Sequence, residues 1–306
     1  MTSPTTTIDL GGDRKRLRRE RRVRGAFWGA ALFSVLLSGL IVLSLIGEAV
    51  NFLRTVEWSA LWDIGWFPRR GMFDVRTIVV ATMIIAGIAM LVAAPLGLGA
   101  AIYLSEYASP RMRRILKPVL EILAGIPSVV IGYFALTWLS PNLIQPIFNA
   151  EIFNMLAAGI GVGVLTTPLV ASVSEDALRA VPQALREASY GLGARKSATV
   201  RKIVVPAAVS GIMAALILGV SRAIGETMVV AMAAGATGGG LLTFDPLQPG
   251  ITMTAAMASL AIGTDQVAGA GNAFQSLFFV GMLLFIMTLG LNLISDRFVR
   301  RVRGGY

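Results

Sequence analysis

Six uninterrupted apolar runs constrain this chain more than any other feature. They cover Gly25 to Gly47, Thr77 to Leu104, Pro118 to Leu139, Ile152 to Val173, Pro206 to Ala234 and Ala273 to Ser295. Each is long enough to cross about 30 Å of hydrocarbon as a helix rising about 1.5 Å per residue. Together they hold only three charged residues, Glu121, Arg222 and Glu226. With 55% apolar and 14% charged residues, the chain lacks the polar surface that water-soluble domains need, since those carry about 25% charged residues. The expected fold is all-α and polytopic, with six transmembrane helices. The first run follows a basic stretch, but its length exceeds a signal-peptide core and no small-residue cleavage site follows, so it reads as a retained span.

The basic residues set the expected orientation. Of 27 Lys and Arg, 22 fall in Arg14 to Arg24, Arg111 to Lys117, Arg179 to Lys202 and Arg297 to Arg303, all on one side if the N-terminus is cytoplasmic. Only Arg54, Arg69, Arg70 and Arg76 fall outside. Positive charge in short loops marks the cytoplasmic face, so both termini are expected inside a bacterial plasma membrane. The net charge of +10 then reads as a lipid-facing topology anchor; nothing interleaves aromatics with the basic runs as nucleic-acid binding would require. Ile251 to Gly263 is apolar but only 13 residues long, which suits a re-entrant or interfacial segment.

The absence of Cys and His excludes disulfides, zinc sites, thiol nucleophiles and the commonest general base. No cofactor is expected. Lys196-Ser197 lies behind Arg195 rather than the glycine of a phosphate-binding loop, so ATP would have to be used by a separate chain.

Along the chain, residues 1–24 form a basic tail whose first ten residues read as disordered, and 25–76 hold the first span and an exterior loop. Residues 77–295 form a five-helix core, and 296–306 a second cytoplasmic tail. In the exterior loop, Trp58, Trp62 and Trp66 recur at spacing four, and a helix there would put the three rings on one face, as an interfacial anchor or a docking surface. Gly159 and Gly163 form a G-x-x-x-G pair suited to close helix packing. Gly125-Ile126-Pro127-Ser128 should break the third span, at a position tolerated only beside protein or a wet cavity.

The cytoplasmic loop 174–205 is patterned. Pro182 opens a helix with Leu185, Ala188 and Leu192 on one face, Gly191 and Gly193 stop it, and Arg195-Lys196 begin a second short helix ending before Pro206. Glu187-Ala188-Ser189, Gly193 six residues after the Glu, and Ile203-Val204-Val205-Pro206 resemble the E-A-A-x3-G-x9-I-x-L-P loop of ABC importer permeases, with Ser189 and Val205 as small or apolar replacements. Leu123 to Val130, Arg179 to Gln183 and Arg222-Ala223-Ile224-Gly225-Glu226-Thr227-Met228 are similar to the phosphate-specific members, with Glu-Thr-Met nearer the C-type than the A-type subunit.

The resemblance implies a type I ABC importer permease fold and a non-enzymatic transport subunit. It implies a sister permease, a cytoplasmic ATPase dimer docked on Glu187, Ala188 and Gly193, an external phosphate-binding protein, and a pathway using Arg222 and Glu226. From chemistry alone, Arg222 lies in the outer half of its span with Glu226 at i+4, either as a helix-locking ion pair or as an oxyanion fork held by its carboxylate. Glu121 is expected near the inner interface. Permeases for molybdate or sulfate, and an ion-coupled secondary transporter, remain alternatives on the residues themselves.

Overall fold

The computed structural model describes residues 14–235, 239–262 and 272–303; the first ten residues, for which disorder is expected, lie outside these. Four helices are long and apolar enough to cross a membrane: α1 (Arg14–Thr55), α2 (Val75–Ile102, continued by a π-turn to Tyr107), α5 (Met155–Arg179) and α11 (Asn272–Arg303). Two bent pairs complete the count of six if each is one span. They are α3 (Pro110–Ala124) with α4 (Ser128–Phe148), bent by 85°, and α7 (Lys196–Ala207) with α8 (Val209–Ile224), bent by 70°.

The core is the α2–α5 pair, with α8 packed on both and α11 on α8. Glycines set these distances. A Cβ added at Gly159 would come within 2.6 Å of Ile88 Cβ, and one at Gly163 within 2.7 Å of Val92 Cβ. The G-x-x-x-G pair therefore seats α5 directly on α2, as small residues do where lipid offers no hydrophobic drive between helices. By contrast α1 touches mainly α11 and turns Phe27, Trp28, Phe33 and Leu40 outward.

The first bend breaks the third run, Pro118–Leu139, between Ala124 and Ser128 as expected, because Pro127 lacks an N–H and disfavours helix at Ile126. The 21 residues of α4 reach about 31 Å. Helix α3 turns off that axis, with Met112, Ile115, Val119 and Ile122 exposed on one side and Arg113 and Lys117 turned toward α5.

The tryptophan stripe also differs from expectation. Residues Trp58–Trp62 form a 3-10 turn that leaves Trp58 and Trp62 exposed, whereas Trp66 is fully buried on β1 (Gly65–Phe67). Strand β1 pairs antiparallel with β2 (Met72–Phe73) and with β3 (Gly240–Leu241), joining the loop after α1 to the one around Gly240. A three-residue strand is too short to show alternation.

The 13-residue apolar segment forms α10 (Met253–Ile262), ten residues long and too short to cross. Its first turn is buried, with Met253 N–H donating to Thr82 Oγ1 at 3.1 Å.

Candidate functional site: a groove below a broken helix and the loop beneath it

Helix α8 runs antiparallel to α5. Gly211 faces Ala177 and Gly219 faces Val170, so Arg222, one turn further, lies level with about residue 167, halfway along α5. Arg222 is thus level with the middle of α5 rather than near its Met155 end. The bend at Ala208 removes the first residues of the expected span from the crossing axis.

Helix α8 ends at Ile224, and a short helix α9 (Met228–Val230) restarts after Gly225. Glu226 lies in the gap, buried, with Oε1 accepting the N–H groups of Met228 (3.2 Å) and Val229 (3.3 Å). Its carbonyl accepts the hydroxyl of Thr254 at 2.7 Å, tying the break to α10. The expected i, i+4 pair therefore does not form. A carboxylate capping a helix N-terminus satisfies donors that a break in lipid would orphan. Among the described residues Arg222 has neither an ion pair nor a hydrogen bond.

Arg222 instead lines a cavity of about 460 Å³ with Leu165, Pro168, Ser172 and Glu175 of α5 and Lys117 and Glu121 of α3. Pro168, Ser172 and Glu175 succeed one another at helical spacing down one face of α5. The cavity is therefore a groove running from the middle of α5 toward its C-terminal end, and Glu175 lies about 12 Å below the level of Arg222. Glu175 is buried and faces three cations, Arg113 Nε at 3.5 Å, Lys117 Nζ at 3.5 Å and Arg179 Nη1 at 3.6 Å. Sequence reasoning missed this hub. Arg179 at i+4 was a visible signal, but the α3 partners lie about sixty residues away in the chain.

Below the groove, α6 (Gln183–Gly191) is held by a Schellman turn. Gly193 N–H donates to Tyr190 O at 2.9 Å, Ala194 N–H to Ser189 O at 3.1 Å, and Gly193 adopts φ +76°. The helix is turned so that Leu185, Glu187, Ala188 and Leu192 face outward, while Arg186 and Ser189 face inward. Ser189, in place of an alanine of the loop pattern, bonds Thr199 Oγ1 at 2.8 Å and joins the two halves of the loop.

Helix α6 thus exposes Leu185 and Leu192 and buries its arginine. Residues 93–304 match the family described as binding-protein-dependent transport system inner membrane component. The chain belongs to that family. Its relatives include the probable ABC transporter permease protein YqgH of Bacillus subtilis, 34% identical over 78% of this chain and 76% of that one. The phosphate transport system permease protein PstC of Mesorhizobium japonicum is 30% identical over 89% of this chain and 88% of its own length. PstC 1 of Mycobacterium tuberculosis is 30% identical over 83% of each.

Solved structures with the same fold include a chain of a bacterial alginate ABC transporter, with TM-score 0.63 and 15% identity over 94% of this chain and 97% of that one. A chain of the inward-facing methionine transporter MetNI gives 0.53 at 22% identity over 74% and 93%. As a member of this family the chain is a multi-pass inner-membrane transport component with the type I ABC importer permease fold.

Proposed function

We propose that this permease is the C-type membrane subunit of an ATP-driven importer of inorganic phosphate. It forms the pathway with a homologous sister permease and is driven by a cytoplasmic ATPase dimer. The observation that carries the reading is Arg222, a permanently charged guanidinium level with the middle of α5, with no partner among the described residues, at the head of a groove. Keeping such a charge in a membrane costs ~2.5 kcal/mol or more. A fork of five donors repays that cost when an oxyanion passes. The relatives named as phosphate transport permeases support phosphate as that anion.

Glu226 serves the pathway indirectly, by holding the helix break next to Arg222. The outward face around Glu187 and Ala188, stopped by Gly193, is the ATPase dock, and the basic loops hold both termini in the cytoplasm. An external phosphate-binding protein delivers the ion to the opposite face.

The test is uptake of labelled phosphate by cells carrying Arg222→Gln, with assembly checked by co-purification of a sister permease and an ATPase with the tagged chain. Loss of uptake from an intact complex is expected. Normal uptake would remove Arg222 from the pathway, and a chain that transports alone in liposomes under an ion gradient would overturn the assignment.

A further inference from the structure

The groove below Arg222 holds a feature that cation-based anion binding does not require. Glu121 lines it, exposed, one helical turn after Lys117 and on the same face of α3. Glu175 is committed to Arg113, Lys117 and Arg179, but Glu121 has no hydrogen bond or ion pair among the described residues. The cavity thus offers two cationic donors, Lys117 and Arg222, together with one free carboxylate acceptor.

A bare carboxylate beside the path of an anion repels it, unless the anion carries a proton to share. Inorganic phosphate at neutral pH keeps at least one P–OH, and arsenate keeps its As–OH, whereas sulfate is fully ionised. A carboxylate accepts a hydrogen bond from the first two and only repels the third. Because Glu121 is exposed, the discrimination comes from its charge, which repels a fully ionised anion that has no proton to share.

We infer that Glu121 accepts the hydroxyl of a protonated tetrahedral oxyanion as it passes along the groove between Arg222 and Lys117, so that the permease groove itself selects phosphate and arsenate over sulfate. This rests on the pathway reading of Arg222 given above. Glu175 is a positioning residue here, fastening Lys117 and Arg113 of α3 to the foot of α5. Selectivity then lies in the membrane subunit as well as in any external binding protein.

The chain contains no cysteine, so Leu120→Cys, on the groove wall, gives a single alkylation site in this subunit. The rate of its modification is measured by mass in the assembled transporter, without external binding protein, in phosphate, arsenate or sulfate. Ala124→Cys, on the same wall, is the second probe. Phosphate and arsenate should slow modification several-fold and sulfate should not. Adding Glu121→Gln should let sulfate protect as well as phosphate does, because an amide N–H can donate to an unprotonated oxygen.

Equal protection by sulfate with Glu121 in place, or unchanged discrimination in Glu121→Gln, would overturn the inference and leave the pathway standing. An absence of phosphate protection at both probes would overturn the pathway reading together with it.

Discussion

The guanidinium of Arg186 lies 2.9 Å from the carboxylate of Glu106, eighty residues earlier in the chain, and both side chains are at most 10% exposed. The same guanidinium donates to the carbonyls of Leu178 and Val181. One side chain thus joins α6, the proposed ATPase dock, to the foot of α5 and to the π-turn closing α2. Lys196, 5.1 Å from the Tyr107 ring centroid, ties the second half of the loop to the same turn. A push on the outward face of α6 must reach α2 and α5, because buried, multiply bonded joints move as a body.

Breaking the joint should therefore uncouple the loop. Arg186→Gln or Glu106→Gln leaves its partner charge buried and unpaired, which costs ~3–5 kcal/mol for such pairs. The expected outcome is a lower thermal midpoint and a fall in phosphate uptake per ATP hydrolysed. The exchange Glu106→Arg with Arg186→Glu should recover part of both, and failure to recover either would mean that the carbonyl contacts alone matter.

Gly193 is the position of the loop where a side chain is least tolerated. At φ +76° an L residue pays ~1–2 kcal/mol. Gly193→Ala should loosen the Schellman turn, and Glu187→Ala should remove a charge from the proposed dock. Both should raise ATP hydrolysis relative to transport in reconstituted complexes, Gly193→Ala also lowering loop protection in hydrogen exchange.

Ser189→Ala separates stability from coupling. It removes the bond to Thr199, worth ~0.5–1.5 kcal/mol, and leaves Thr199 Oγ1 its weaker contact to the Arg195 carbonyl at 3.4 Å. Because alanine is the usual residue of the loop pattern, coupled transport should stay near normal while the thermal midpoint drops slightly.

The α2–α5 contact should be intolerant of bulk. Gly163→Val would drive atoms into Val92 Cβ and the Ala89 carbonyl, within 2.8 Å of the new Cβ. Overpacking costs about 1–3 kcal/mol and more where backbone must move. Reduced yield of the folded chain in detergent is expected, whereas Gly99→Val, with open space around it, should fold normally.

Much of this molecule was legible without coordinates. The apolar runs gave the number of spans, since nothing else satisfies an apolar backbone in lipid. The break at Pro127 followed from a missing N–H, and the short apolar segment at α10 from its length. The loop pattern around Glu187 gave a helix, a glycine turn and a second helix because turn chemistry is local, with Gly193 alone in that loop taking the left-handed position.

What the sequence could not determine is everything that depends on which distant segments meet. Arg222 and Glu226 look like a helical pair at i, i+4, and only the break at Gly225 separates them, turning the carboxylate into a helix cap and leaving the arginine open. Glu121 reads as a residue near the membrane edge, and only the 85° bend between α3 and α4 shows that it also stands on the groove wall below Arg222. Local rules of length, proline and glycine are written in neighbouring residues. Charges that serve a pathway are chosen by tertiary contact, because their cost in lipid is met by partners far away in the chain.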